Sequence, residues 1–430
     1  MYIDTLKIAN LRSVARTGLR LNTPATPDLA CPNVSLLVGG NGIGKTSILR
    51  AVVLGALGPA LGAGSGFVPT DLVRRMPAGD AAAAPPATIT ARIVMPPGCP
   101  TPWAVPDVGG PLELTTLVDS LPQGERLRWR SRPAAARKAV ERLQAEAHGG
   151  VFLVLAYGAT RRAGSADRQA PDPPGSPAYR RVAGLFEEPG ALLPLAAWLP
   201  RCAGTDRPRH DQVVQLINQL LPAACRMTDM PVETPAGRQH LFEMNGAAVG
   251  IHALSNGYRA CLGWVGDMLF HLCQAADAGT ALRDIRGIVL VDEIDLHLHP
   301  QWQRTVVPTL ARALPCLQLV FTSHSPLVVG SLQSGNLLVL DEENGATVVR
   351  RLSERVHGRS AEQILLSPYF GLDSTRAPEV STALRLLAGR AGAGDARAAA
   401  QYLDLLSGGL SRQDVAAVLA SPRKSRTGEP

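Results

Sequence analysis

Val34-Ser35-Leu36-Leu37-Val38-Gly39-Gly40-Asn41-Gly42-Ile43-Gly44-Lys45-Thr46-Ser47-Ile48-Leu49 joins an apolar run to a helical pattern through the pattern G-x-x-x-x-G-K-[ST]. The run predicts a buried strand and the residues from Ser47 onward predict a helix, so the glycines fall at a strand-to-helix turn. Such a turn gathers main-chain N–H groups and the positive end of a helix around an anion. Gly39, Gly40, Gly42 and Gly44, with Asn41 and Ile43 between them, let the backbone wrap a β-phosphate. Lys45 brings an ammonium to the β and γ oxygens, Thr46 offers a hydroxyl to Mg²⁺, and Ser47 leads the loop into the helix. The expected ligand is a nucleoside triphosphate. Composition sharpens the expectation, because the chain holds only four lysines (Lys7, Lys45, Lys138 and Lys424) against 39 arginines.

With 430 residues, 46% of them hydrophobic, the chain can bury a large core, either as one domain with an insertion or as two to three domains. No apolar run reaches the roughly 18 residues of a membrane span, and the start Met1-Tyr2-Ile3-Asp4-Thr5-Leu6-Lys7 lacks the order of a signal peptide, so a cytoplasmic protein is expected. Seven cysteines without a C-x-x-C pair fit reduced, buried thiols. A net charge of +7 invites a nucleic-acid partner, yet abundant Ala, Gly, Pro and Arg also follow from GC-rich coding. Arg126-Leu127-Arg128-Trp129-Arg130-Ser131-Arg132 and Arg161-Arg162 are candidates for a basic surface, and a strand with arginines at alternate positions also reads as a solvated face.

Residues 1–60 predict two strands, the phosphate loop and a helix, the first half of an α/β domain. Residues 61–240 predict an inserted β lobe and a helical lid. Within them 87–94 and 112–118 are strands, 134–147 a short amphipathic helix, 151–156 a buried strand entering Tyr157-Gly158-Ala159-Thr160-Arg161, and 163–178 a mobile loop. Helices are expected near 191–200 and 211–226, and Asn245-Gly246 marks a hairpin. No heptad is sustained, so no long coiled coil is inserted. Residues 241–340 complete the nucleotide domain, with a helix at 257–276. Residues 341–430 form a helical extension with a disordered tail from Ser421.

Gly287-Ile288-Val289-Leu290-Val291-Asp292-Glu293 is an apolar run ending in two acids, the form of a central parallel strand that delivers carboxylates to its C-terminal edge. Asp292 would hold Mg²⁺, and Glu293 would orient and deprotonate an attacking water. Leu317-Gln318-Leu319-Val320-Phe321-Thr322-Ser323-His324-Ser325-Pro326 predicts a second strand presenting Ser323 and His324 beside the same site, with His324 able to hydrogen-bond a γ-phosphate oxygen. Leu254-Ser255-Asn256-Gly257-Tyr258-Arg259 opens a helix with Ser255 as its cap.

In this order the four elements resemble the ATP-binding cassette (ABC) ATPases, whose signature is Leu-Ser-x-Gly followed by a helix. The start Leu6-Lys7-Ile8-Ala9-Asn10-Leu11-Arg12-Ser13, the run Asp292-Glu293-Ile294-Asp295-Leu296-His297-Leu298-His299-Pro300 and Thr322-Ser323-His324-Ser325-Pro326 are similar to the RecF/SMC/OLD-like branch. Segments 360–365 and 370–374 are similar to the tails of stand-alone ATPases of bacterial anti-phage systems such as Septu. The resemblance implies an α/β P-loop NTPase fold, an ABC ATPase head with an antiparallel β lobe and an inserted helical subdomain. It implies ATP with Mg²⁺, and a head-to-tail homodimer in which Ser255 and Gly257 of one subunit face the γ-phosphate on the other. It also places Arg12 and Ser13 near the nucleotide and makes Leu-His-Leu-His-Pro a turn into the next helix. No Q-loop glutamine is identifiable. Nor is there an H-N-H cluster or a Toprim acid pair after His324, so a separately encoded effector, for example a nuclease, is expected to act with the ATPase. A RecF-like DNA-binding ATPase is the alternative, and a membrane transporter subunit is disfavoured.

Overall fold

A computed structural model of the chain describes residues 1–75, 85–95, 112–138, 140–141, 153–163, 175–187, 191–235, 237–277, 279–408 and the residues 413, 415, 416 and 418. Two compact units divide the chain, Met1–Ala361 and Glu362–Pro430. The first unit is built on two large sheets. Strands β1 (Tyr2–Leu11), β2 (Val14–Arg20), β4 (Ala87–Val94), β5 (Leu112–Leu121) and β6 (Gly124–Arg132) form an antiparallel sheet in the order β2-β1-β4-β5-β6. Strands β3 (Val34–Val38), β7 (Val154–Tyr157), β15 (Gly287–Val291), β16 (Leu317–Ser323), β17 (Leu337–Glu343) and β18 (Ala346–Arg350) form the second sheet, in the order β18-β17-β3-β16-β15-β7. All its pairs are parallel except β17 with β18. The strands β3, β7 and β15 are buried at every position, as befits a parallel sheet covered on both faces.

The helix Lys45–Leu57 that follows β3 is buried around nearly its whole circumference, because both sheets pack on it. One apolar cluster runs from Leu6, Ile89 and Leu114 of the antiparallel sheet through Ile48, Val52 and Val53 of the helix to Leu37, Leu290 and Val320 of the parallel sheet. Each such side chain contributes about 1.5–3 kcal/mol by leaving water. A polar stitch adds register: Thr116 Oγ1 of β5 donates to Leu54 O at 2.7 Å.

The remaining strands are short. β8 (Arg162–Ala163) pairs with β9 (Ala191–Leu192); β10 (Cys225–Met227), β13 (Phe242–Met244) and β14 (Ala247–Val249) make one small sheet, and β11 (Val232–Thr234) with β12 (Gly237–Gln239) another. Asn245 (φ 51°) and Gly246 (φ 80°) both turn left-handed between β13 and β14, as a two-residue hairpin requires.

Several expectations shift. Residues 1–60 form three strands, not two, because β1 and β2 make a hairpin of their own before β3. Helices expected near 191–200 and 211–226 span Leu195–Thr205 and Arg207–Leu220, and residues 225–227 are a strand. Asp206 sets the break: its side chain accepts from Arg209 N–H at 3.1 Å and starts the second helix. The sheets also cross the boundaries expected at 60/61 and 340/341, since β1 pairs with β4, β7 joins β15, and β17 extends from Leu337 to Glu343. In the helix expected at 134–147, residues 134–136 form a 3₁₀ turn and 137–138 and 140–141 are helical, while 139 and 142–147 lie outside the described residues. The loop segment 164–174, the residues 151–152 and the tail 421–430 lie outside them too.

In the second unit the helices Pro378–Gly392 and Ala396–Leu406 pack Ala383, Leu387, Ala398 and Leu405 together with Val415 and Val418. Among the described residues no helix is long and apolar enough to cross a membrane.

Candidate nucleotide-binding site

The C-terminal ends of β3, β15 and β16 converge on a pocket of about 440 Å³. Asn41, Gly42, Gly44, Lys45, Thr46 and Ser47 line one side, Asp292, Glu293 and His324 the other, and Arg12 with Ser13 the rim. Gly39, Gly40 and Ile43 support the loop from behind instead of lining the pocket. A Cβ on Gly39 would come within 2.7 Å of Leu340 O, and Ile43 packs on the core. Gly44 sits at φ 109°, and a Cβ there would come within 2.7 Å of Ser13 Oγ, so the position accepts only glycine. No side chain caps the following helix, which leaves its first N–H groups facing the pocket mouth.

Side chains from distant segments hold the loop. Thr347 Oγ1 of β18 donates to Ile43 O at 2.7 Å. Arg74 donates to Ser13 O and to Gly345 O, bracing the β1–β2 turn in which Arg12 adopts φ 49°. Lys45 Nζ donates to Gly39 O and Gly40 O at 2.9 and 2.8 Å. Burial pulls the Lys45 pKa below its ordinary value, and the nearby carboxylates of Asp292, Glu293 and Asp295 push it back up.

Asp292 is 5% exposed and accepts from two hydroxyls, Thr46 Oγ1 at Oδ2 and Thr322 Oγ1 at Oδ1, both at 2.6 Å. Thr322 also accepts the Glu293 N–H at 2.7 Å. Glu293 takes φ 49°, a left-handed conformation that costs a non-glycine residue on the order of 1–2 kcal/mol. The turn throws its side chain off the strand line and into the pocket wall. Replacing Thr322 by valine keeps the shape but strands a buried carboxylate oxygen and an N–H. Thr322→Val is expected to lose about 1–3 kcal/mol of stability, measured by urea unfolding. A variant as stable as the wild type would mean that these bonds are not formed in solution.

His324 faces Lys45 and the acids across the pocket. Burial, followed by the Lys45 charge, lowers its pKa below the ordinary 6.5, so its ring is neutral near pH 7 and one ring nitrogen can donate while the other accepts. Ser323 does not share the site: it is fully buried, and its hydroxyl accepts from Ser325 N–H at 2.9 Å. The alternation of side chains along β16 aims Thr322 and His324 at the pocket and Ser323 away.

Ser255 is the N-cap residue of the helix Asn256–Ala275, as expected, and its C=O accepts from Arg259 N–H at 3.1 Å; its exposed side chain makes no capping bond. Neither Ser255 nor Gly257 lines this chain's own pocket. Gly257 packs on the turn after β15 instead, where a Cβ would come within 2.5 Å of His297 O. His299 Nδ1 accepts from Gln301 N–H at 3.3 Å and starts the short helix Pro300–Gln303. Among the described residues no group of three or more His, Cys, Asp or Glu is disposed to hold a metal ion.

Three contributors were not assigned from sequence. Thr322 lay inside a quoted motif, and strand alternation would have found it. Thr347 and Arg161 carry no local signal. Arg161 donates to the main-chain carbonyls of Gly158, Asp292 and Glu293 from the end of β7.

Known proteins bear on this geometry. A family described as "AAA domain, putative AbiEii toxin, Type IV TA system" matches residues 239–330, the stretch with the signature and both acids. The Septu protein PtuA of Bacillus thuringiensis is 33% identical over 132 residues, 29% of this chain and 33% of that protein. The "Retron Vc95 probable ATPase" of Vibrio cholerae serotype O1 biovar El Tor is 37% identical over 98 residues, 23% of this chain and 19% of that protein. The chain thus spans a third or less of the length of these relatives. An SMC head solved with the C-winged helix domain of ScpA has a TM-score of 0.49 and 15% identity, covering 82% of this chain and 98% of that one. The matched stretch is thus similar to the Septu protein PtuA and to retron ATPases, and the phosphate loop and the sheet around it have the form of a P-loop nucleotide-binding fold.

Proposed function

We propose that the chain binds and hydrolyses Mg·ATP as a homodimer with two shared sites, and that hydrolysis times the action of a separately encoded effector in anti-phage defence. The observation that carries the reading is Asp292, fixed by Thr46 and Thr322 at 2.6 Å each, opposite Lys45 in one pocket. The Thr46 hydroxyl and the Asp292 carboxylate are a hard, all-oxygen donor pair of the kind Mg²⁺ prefers, so these two residues would hold the ion. Bound there, Mg²⁺ would offset charge on the phosphate oxygens.

The chain's own groups supply the rest. The loop N–H groups and Lys45 hold the phosphates, and Arg12 reaches them from the rim. Glu293 accepts the proton of the attacking water, and neutral His324 donates a hydrogen bond to the γ-phosphate. Ser255 and Gly257 lie off this chain's pocket at the start of a helix, which suits a γ-phosphate held by a second copy.

Subunit mixing tests the shared site. Lys45→Ala and Ser255→Arg proteins, each inactive alone, are combined under conditions that exchange subunits. A mixed dimer then has one site with both lesions and one with neither. Random pairing makes about half the dimers mixed, so roughly a quarter of the wild-type sites should return if sites fire independently. No recovery after verified exchange would mean either obligate coupling of the two sites or a signature that works in its own subunit, and full activity of Ser255→Arg alone would remove Ser255 from the mechanism.

A further inference from the structure

β7 lies beside β15 in parallel register, with Tyr157 opposite Val291. Parallel neighbours end on the same side, so the residues after Tyr157 arrive at the edge where Asp292 and Glu293 stand. Gly158 permits a close passage, since a Cβ there would come within 2.2 Å of Gly184 O. The turn then delivers Arg161. Its guanidinium donates to Gly158 O at 3.0 Å, to Asp292 O, and to Glu293 O at 2.8 Å. The carboxylates of Asp292, Glu293 and Asp295 lie within its electrostatic reach.

Glu293 needs holding because its left-handed backbone is unfavourable for a residue with a side chain. The two peptide units that flank it are pinned from different elements. Thr322 of β16 takes its N–H, and Arg161 takes its C=O. Neither bond uses the carboxylate, which stays available for chemistry.

We propose that Arg161 is a positioning residue that holds Glu293 through the main chain. The inference rests on the ATPase reading above. A planar guanidinium spans two successive carbonyls at once; a lysine ammonium in its place keeps the charge but loses the fork.

Arg161→Met and Arg161→Lys test the assignment by three readouts: binding of a fluorescent ATP analogue with Mg²⁺, steady-state hydrolysis, and amide exchange of peptides covering 287–296 without nucleotide. For Arg161→Met, the dissociation constant and KM are expected within about threefold of wild type while kcat falls at least about tenfold, with partial recovery in Arg161→Lys. Exchange across Glu293 and Ile294 should quicken by about tenfold or more. Arg161→Met added to Glu293→Gln should cost less than about twofold further, because the two act in one step. Wild-type kcat, a raised KM at unchanged kcat, a fully additive double variant or unchanged exchange would each overturn the assignment. If Arg161→Met fails to fold by circular dichroism, Arg161→Lys carries the same comparisons. A wild-type protein that does not hydrolyse ATP would sink the functional reading, and the exchange comparison alone would then decide whether Arg161 anchors this turn.

Discussion

Glu293→Gln retains ATP and loses turnover by at least about 100-fold, because the amide keeps the shape of the carboxylate and cannot take a proton from water. The substituted side chain projects from a turn that Thr322 and Arg161 hold by its backbone, so the fold has no reason to change. ATP that is bound and not cleaved should accumulate a dimer, read by light scattering at saturating Mg·ATP. If the proposed effector recognises the ATP-bound state, affinity purification should retain it better on Glu293→Gln than on wild type. Loss of ATP binding in this variant would instead make Glu293 a metal or structural residue.

Lys45→Ala removes the one ammonium facing Asp292, Glu293 and His324 in the pocket. The carboxylates of Asp292 and Glu293 then face the incoming phosphates with less opposing charge. A charge-assisted hydrogen bond to phosphate contributes about 1.5–3 kcal/mol, so affinity should fall by roughly 10- to 100-fold and hydrolysis should become undetectable. Isothermal titration with ATP and a phosphate-release assay read the two effects. Near-normal turnover in a well-folded Lys45→Ala protein would falsify the phosphate-loop assignment.

The parts of this site that were legible in the sequence are contiguous. The stretch from Val34 to Leu49 carries a strand, a turn with fixed glycines and a helix in one window, and Gly287–Glu293 carries a strand with its acids. The parts that were not legible depend on which strands become neighbours. Val151–Ala156 could be read as a buried strand, but its alternation says nothing about a partner more than a hundred residues away. Only pairing with β15 brings Arg161 to Glu293. Thr347 reaches Ile43 for the same reason, through β17 alongside β3 and β18 alongside β17. Ser323 misled because its motif is local while its direction is set by the pleat of β16. Two helices were legible on either side of Asp206, but not their bounds: the side-chain cap at Asp206, which sets where the second begins, carries no periodic signal.

The row of arginines on β6 bears on how the chain avoids unwanted association. β6 is the last strand of its sheet in the described residues, so one side of it presents unpaired N–H and C=O groups. Arg126, Arg128, Arg130 and Arg132 all stand on its exposed face, where the carboxylate of Asp119 pairs with Arg128. Two copies approaching along this strand would set four cations against four. Such a like-charged margin opposes the sheet-to-sheet growth that bare strands invite, the precursor of fibrils and amorphous aggregates.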